Sequence, residues 1–345
     1  NFFYISRFVE FGDFFVAEPL NHWLNNSLHP RSISFNGSSL VPQGFIGLPL
    51  LYGLITIIFG LGIIKFITPA LAMLGAFAFY GIIKRIFNKN IAIFSLLLLF
   101  LFPIFWYYSS RSLYPNIPFV SFLLIAGWAG LNGALKRSTH KVYLIIFAVS
   151  LALGLAIRPI EAVWVLPILL VLLLINKKNI SWIKIIYSIL IFGFLAVPVL
   201  VNNYFLYGDI LASGYTLTEA VDINGISVRE GSLNFGEGKF IKNRVADIRE
   251  IKNNILPHGF KASIFLKNIN YFLIIYFWWY SVPAIVGFLF WFVRKKTYEQ
   301  KMYSLIALLS TGWLAIFYGS GSYTDNPNIG RLTIGDSHFR YWLPI

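Results

Sequence analysis

The 345 residues contain no cysteine, which excludes disulfides, zinc–thiolate sites and thiol chemistry. Charge is also scarce: 12% of the chain is charged against 57% hydrophobic, about half the charged fraction of a soluble domain. The histidines, His22, His29, His140, His258 and His338, show no metal-ligand spacing. No glycine-rich phosphate loop follows a strand, no Ser-His-Asp arrangement can be assembled, and no internal repeat stands out.

What is abundant is apolar sequence in continuous runs near the length of a membrane span. Continuity argues for helices and against a barrel, whose strands alternate. The predicted fold class is therefore all-α: a polytopic integral membrane protein, with a helical bundle and large outer loops. The net charge of +14 sits in short loops between spans, where membrane orientation requires it. Nucleic acid is thereby excluded as a partner and membrane lipids are implied.

Orientation follows from one stretch. Val142 to Ile175 is apolar except for Arg158-Pro159-Ile160-Glu161 near its centre. As one helix it would run roughly 50 Å against a hydrocarbon core of about 30 Å, and Pro159 would break it. Two short spans meeting at a turn are predicted. Their far ends carry Lys136, Arg137 and Lys141 on one side and Lys177 and Lys178 on the other, which places those ends in the cytoplasm. Arg158 and Glu161 then face outside.

The remaining chain is threaded from that hairpin. Residues 1–43 form a first outer loop, with phenylalanines spaced for an interfacial amphipathic helix. Spans are predicted over Phe66–Ile83, Ile91–Tyr108, Ile117–Leu135, Trp182–Val201, Tyr271–Val293 and Met302–Tyr318. Residues 202–268 form a large outer loop and Gly319–Tyr341 another. Crossing parity requires either that Phe45–Ile64 be a juxtamembrane or re-entrant element or that Lys84 to Lys89 lie outside; Pro49 and Gly60-Leu61-Gly62 favour the first. Of the fourteen acidic residues, only Glu299 then falls in a cytoplasmic loop.

Carboxylates and a large loop on the outer face point to chemistry on a lipid-linked substrate. A sugar there would arrive on a polyprenyl phosphate, and the protein would supply a base for the acceptor and cations for the phosphate. Several stretches resemble the GT-C glycosyltransferases, membrane enzymes that include protein mannosyltransferases and aminoarabinose transferases. They are the aromatic first loop with His29-Pro30-Arg31, Val41-Pro42 before a Gly-Leu-Pro helix, and Arg111 after the third apolar segment. Further on come G-L-A-I-R-P at Gly154–Pro159, Asn203-Tyr204-Phe205-Leu206-Tyr207-Gly208-Asp209, and Arg340-Tyr341-Trp342-Leu343-Pro344.

The resemblance implies a single GT-C-like domain over 1–345, incomplete at both ends. It also implies a polyprenyl-phosphate-linked sugar as donor, and a lipid, glycan or protein as acceptor. The site would face outward from the cytoplasmic membrane. The family carries an acidic residue early in its first loop, whereas this chain opens at Asn1-Phe2-Phe3-Tyr4, so the catalytic carboxylate is expected before Asn1. Within the chain the candidates are Asp13 and Glu10. Phosphate or substrate contacts are assigned first to Arg340, with Tyr341 and Asp336, then to Arg111, Arg158, Glu161 and Arg31. Arg158 and Glu161, at i and i+3, can instead simply pair. Asp325 is a metal or acceptor contact. No cofactor is demanded and no metal ligands are assigned, a divalent ion being left open. Competing readings are a polytopic lipid or glycan transporter and a lipid-linked glycan polymerase or ligase. Charges at span ends rather than at the midplane favour the enzyme.

Overall fold

A computed structural model of the chain describes residues 1–20, 32–36, 38–134, 141–175, 181–217 and 260–320. The fold is helical, as the apolar runs predict. In chain order come α1 (Phe2–Phe11), three short strands, β1 (Val16–Ala17), β2 (Ile33–Phe35) and β3 (Ser39–Pro42), then α2 (Gly47–Phe59) and α3 (Ile64–Ile86). They are followed by α4 (Lys89–Leu101), α5 (Pro103–Ser110), α6 (Asn116–Ala129), α7 (Lys141–Ile157), α8 (Ala162–Ile175) and α9 (Trp182–Tyr207). A single turn, α10 (Gly214–Leu217), precedes α11 (Ala262–Ile269), α12 (Trp278–Val293) and α13 (Tyr298–Gly319).

Four described helices are long and apolar enough to cross a membrane, Leu61–Ile86, Asn116–Gly133, Trp182–Tyr207 and Tyr298–Gly319, and up to six if each bent pair counts as one span. The expected Phe45–Ile64 element is α2. Its 13 residues reach about 20 Å, too short to cross a core of about 30 Å. Arg158-Pro159-Ile160-Glu161 breaks the long run where proline predicts. α7 ends at Ile157, one 3-10 turn covers Pro159–Glu161, and α8 begins at Ala162.

Three predicted spans require correction. Ile91–Tyr108 is two helices bent by 65° at Phe102, because Pro103 cannot continue the hydrogen-bond ladder of α4. Tyr271–Val293 is not one helix either: a wide turn over Asn270–Ile275 precedes α12, whose apolar stretch is short. Trp182–Val201 continues six residues further, to Tyr207. The small sheet, in the order β1-β3-β2 with both pairings antiparallel, was not predicted; its strands are too short to display alternation.

The chain packs as two compact units. In the first, α7 lies against α6 and α9, with α1, the sheet and α2 at one end. α3 and α6 approach closely at Gly75, where a Cβ would stand 2.7 Å from Ser121 Oγ. α2 is fastened to α3 by a 2.7 Å hydrogen bond between the Tyr52 and Thr68 hydroxyls. The second unit holds α4, most of α5, α8 and α11–α13 with the end of α3. There, α11 is tied to the end of α13 by Asn268 Nδ2 donating to the Gly319 carbonyl at 2.8 Å.

Candidate active site

The first loop folds back on itself before it meets the bundle. α1 exposes Phe2, Phe3 and Phe11 and buries Tyr4 and Ile5, the one-sided pattern of an interfacial helix. Phe8 stacks on Phe14, their centroids 4.9 Å apart, and fills the space left at Gly53 of α2. Gly12, at φ 76, terminates α1 in the left-handed conformation, which a side-chain-bearing residue adopts at a cost.

That reversal brings Asp13 under Arg7. Arg7 Nε donates to Asp13 Oδ1 at 3.0 Å and Nη2 to Oδ2 at 3.3 Å, while the Phe15 amide donates to Oδ1 at 3.1 Å. The guanidinium also lies 3.8 Å from the centre of the Phe11 ring. Both oxygens of Asp13 are thus engaged, whereas Glu10 is exposed on α1. Tyr4 is buried with its hydroxyl unpaired among the described residues, and burial holds its phenol above the ordinary tyrosine range.

The Asn203–Asp209 stretch supplies the other wall. Tyr207 Oη donates to the Pro42 carbonyl at 2.7 Å, and Asn36 Nδ2 donates to the Leu206 carbonyl at 3.0 Å. Asn36 Oδ1 meanwhile accepts from the Ser38 and Ser39 amides and from Ser38 Oγ. Asn203 Nδ2 donates to the Ile210 carbonyl, Gly208 caps α9 at φ 79, and Asp209 Oδ1 accepts from the Leu211 amide. Of this motif, the Tyr207 side chain and the Leu206 carbonyl reach the first loop, while Asn203 and Asp209 fold the chain that follows α9. Around them Tyr4, Phe14, Val41, Ile46, Leu50, Val199, Leu206 and Tyr207 make one apolar cluster.

α7 arrives at the same place. A Cβ on Gly47, at the start of α2, would collide with the carbonyl of Ala156, so only glycine lets the two backbones touch. Just beyond, Arg158 Nη2 meets Glu161 Oε1 at 2.7 Å, with 6% and 0% of the two side chains exposed. The Arg158 guanidinium lies 5.8 Å from the centre of the Phe119 ring, on the first turn of α6. Asn1 Nδ2 donates to the Leu113 carbonyl at 2.7 Å, pinning the start of α1 to the turn that carries the exposed Arg111. Leu113 holds φ 75 there.

Asp13, Glu10, Arg111, Arg158 and Glu161 all belong to the first unit, where Asn1 ties the start of α1 to the Arg111 turn and Gly47 meets the end of α7 beside Arg158. Lys141 begins α7 and Lys184 lies in the first turn of α9, at the far ends of those helices. Arg31, Asp325, Asp336, Arg340 and Tyr341 lie outside the described residues. Among the described residues no three His, Asp or Glu side chains converge as a metal site. Sequence reasoning missed Tyr4, Asn36 and Tyr207 as organisers of the junction. Tyr207 could have been found from its place beside a helix-ending glycine, whereas Asn36 carried no signal.

Residues 46–202 match the family model described as dolichyl-phosphate-mannose-protein mannosyltransferase. No curated protein and no solved structure gives a significant match. The matched segment runs from α2 through most of α9 and contains Arg111, Arg158 and Glu161. Together with the apolar helices long enough to cross a bilayer, that match supports a membrane glycosyltransferase of the GT-C superfamily.

Proposed function

We propose that the protein transfers a sugar from a polyprenyl-phosphate donor to a lipid, glycan or protein acceptor at the outer face of the cytoplasmic membrane. The observation that carries this reading is the convergence at one junction of segments from four distant parts of the sequence. They are Pro42 to Gly47, the Arg111 turn, Gly154 to Glu161 and Asn203 to Asp209, all away from Lys141 and Lys184. Loop cations at the opposite helix ends favour a cytoplasmic location for those ends, so the junction belongs to the outer side.

The chemistry needs little beyond placement. An acceptor oxygen or nitrogen bonds to the anomeric carbon as the bond from that carbon to the phosphate oxygen breaks. The polyprenyl phosphate departs with the electron pair, and the acceptor's proton goes to a carboxylate. Asp13 and Glu10 are the carboxylates of the first loop assigned to that proton. Arg340 and Tyr341, with Arg111, are assigned to the departing phosphate, for which a guanidinium offers a planar fork. Asp336, Asp325 and Arg31 are assigned to the rim. The buried Arg158–Glu161 pair closes the turn that follows α7.

Reconstituted protein supplied with polyprenyl-phosphate mannose and membrane-derived acceptors should release polyprenyl phosphate and label the acceptor. Arg340→Ala should lower kcat about 10²–10³-fold, the loss typical for removal of one group that stabilises developing negative charge, at unchanged expression. Arg340→Lys should keep only part of the activity, because an ammonium cannot reproduce the fork. Full activity in Arg340→Ala refutes the phosphate assignment.

A further inference from the structure

In the second unit, two short loops and the helix turns beside them carry seven cationic side chains, Lys84, Arg85, Lys89, Arg294, Lys295, Lys296 and Lys301, and the single carboxylate Glu299. Orientation in a membrane asks only that such residues lie in the loops. It does not ask that the loops be locked together, and these are. Thr297 and Gln300 form a capping box at the start of α13. The Gln300 side chain accepts from the Thr297 amide through Oε1 at 3.1 Å and donates through Nε2 to the Ile86 carbonyl, also at 3.1 Å. One side chain thereby closes the start of α13 and the end of α3 at once. Phe87 packs edge-on to Trp291, their ring centres 5.2 Å apart. Trp291 Nε1 donates to Ser304 Oγ at 2.7 Å, and the Lys296 ammonium lies 5.0 Å from the centre of the same indole.

Arg85 lies in the last turn of α3. Its Nε is buried and has no hydrogen-bond partner among the described residues. Its contact with Glu299, from Nη2 at 3.9 Å, is longer than a hydrogen bond. The Arg85 side chain is 30% exposed, so its terminal nitrogens, and not the sealed Nε, are the donors it can offer to a phosphodiester oxygen pair. The braced loops lie at the ends of α3, α12 and α13, apolar helices that place them at headgroup depth.

We infer that these two loops form a binding site for the phosphodiester headgroup of an anionic phospholipid, seated on Arg85 and flanked by Lys295 and Lys296. The inference is independent of the sugar-transfer reading, since it concerns only the second unit.

The test measures retention of phosphatidylglycerol against phosphatidylcholine by the full chain, using native mass spectrometry of protein extracted from vesicles of each composition. Phosphatidylglycerol should be retained preferentially. Lys295→Gln, at an exposed position, should weaken retention about fivefold, and Arg85→Gln/Lys295→Gln about 25-fold, as each cation near an anionic surface contributes roughly a fivefold factor. Gln300→Ala removes no charge, yet should also lower retention by loosening the brace. Equal retention of the two lipids overturns the inference. So does an unchanged Gln300→Ala, which would make the surface a diffuse charge and not a built site. Inorganic phosphate should displace no more lipid than chloride at equal ionic strength. Full displacement by phosphate would mean that the site takes a free anion, and the lipid assignment would fall.

Discussion

Arg158 and Glu161 meet at 2.7 Å with 6% and 0% of their side chains exposed, whereas Arg7 and Asp13 meet at 3.0 Å with 27% and 40% exposed. Both pairs belong to the first unit and both flank the same junction. The buried pair has surrendered its hydration, so neither partner can be removed without leaving a charge in a low-dielectric setting. The open pair keeps water on both partners and gains little from contact. A carboxylate that must collect a proton during turnover belongs in the second kind of setting. Fixed backbone geometry belongs in the first.

Breaking the buried pair on one side should have the largest effect. Glu161→Gln should destabilise the detergent-solubilised protein by about 3–5 kcal/mol, while Arg158→Met/Glu161→Leu should recover most of that loss. Denaturant titration reads both, and a Glu161→Gln variant as stable as the parent would show that Arg158 is not held by charge. Tyr207→Phe comes next. It strips the Pro42 carbonyl of its donor and should cost about 1–3 kcal/mol, with the first loop becoming the earliest site of proteolytic cleavage. If cleavage appears elsewhere first, Tyr207 does not anchor that loop.

Asp13→Asn should have the smallest effect on folding, less than about 1 kcal/mol for a half-exposed pair, while sugar transfer falls sharply. Glu10→Gln supplies the sharper contrast. Loss of transfer in that variant alone would move the proton-accepting role to Glu10, and full activity in both would remove it from the first loop of this chain.

The helical class and the break at Arg158-Pro159 were legible because apolar run length and proline act locally. The short α2 was legible too, from crossing parity combined with Pro49 and its glycines. Bent pairs were not: Phe102-Pro103 looked like the middle of a span because hydropathy does not register direction. The junction was half legible. Gly154–Glu161 and Asn203–Asp209 stood out as motifs, but their contact with Pro42 and Gly47 depends on a backbone approach that no residue spacing encodes. Asn36 was invisible, since an asparagine in a polar loop reads the same whether it is solvated or satisfies four partners. The Arg158–Glu161 spacing gave the pair itself and said nothing about its burial.

The bond from Tyr207 to the Pro42 carbonyl spans 165 positions of sequence. At synthesis rates of about 5–20 residues per second, roughly ten to thirty seconds separate the emergence of the acceptor from that of its donor. During that interval the three-stranded sheet lacks its closing partner, and its short strands are open to wrong pairings. Biogenesis of this protein therefore has a vulnerable window whose length is set by translation speed, and slowing the ribosome between α2 and α9 should increase the fraction of chains lost to quality control.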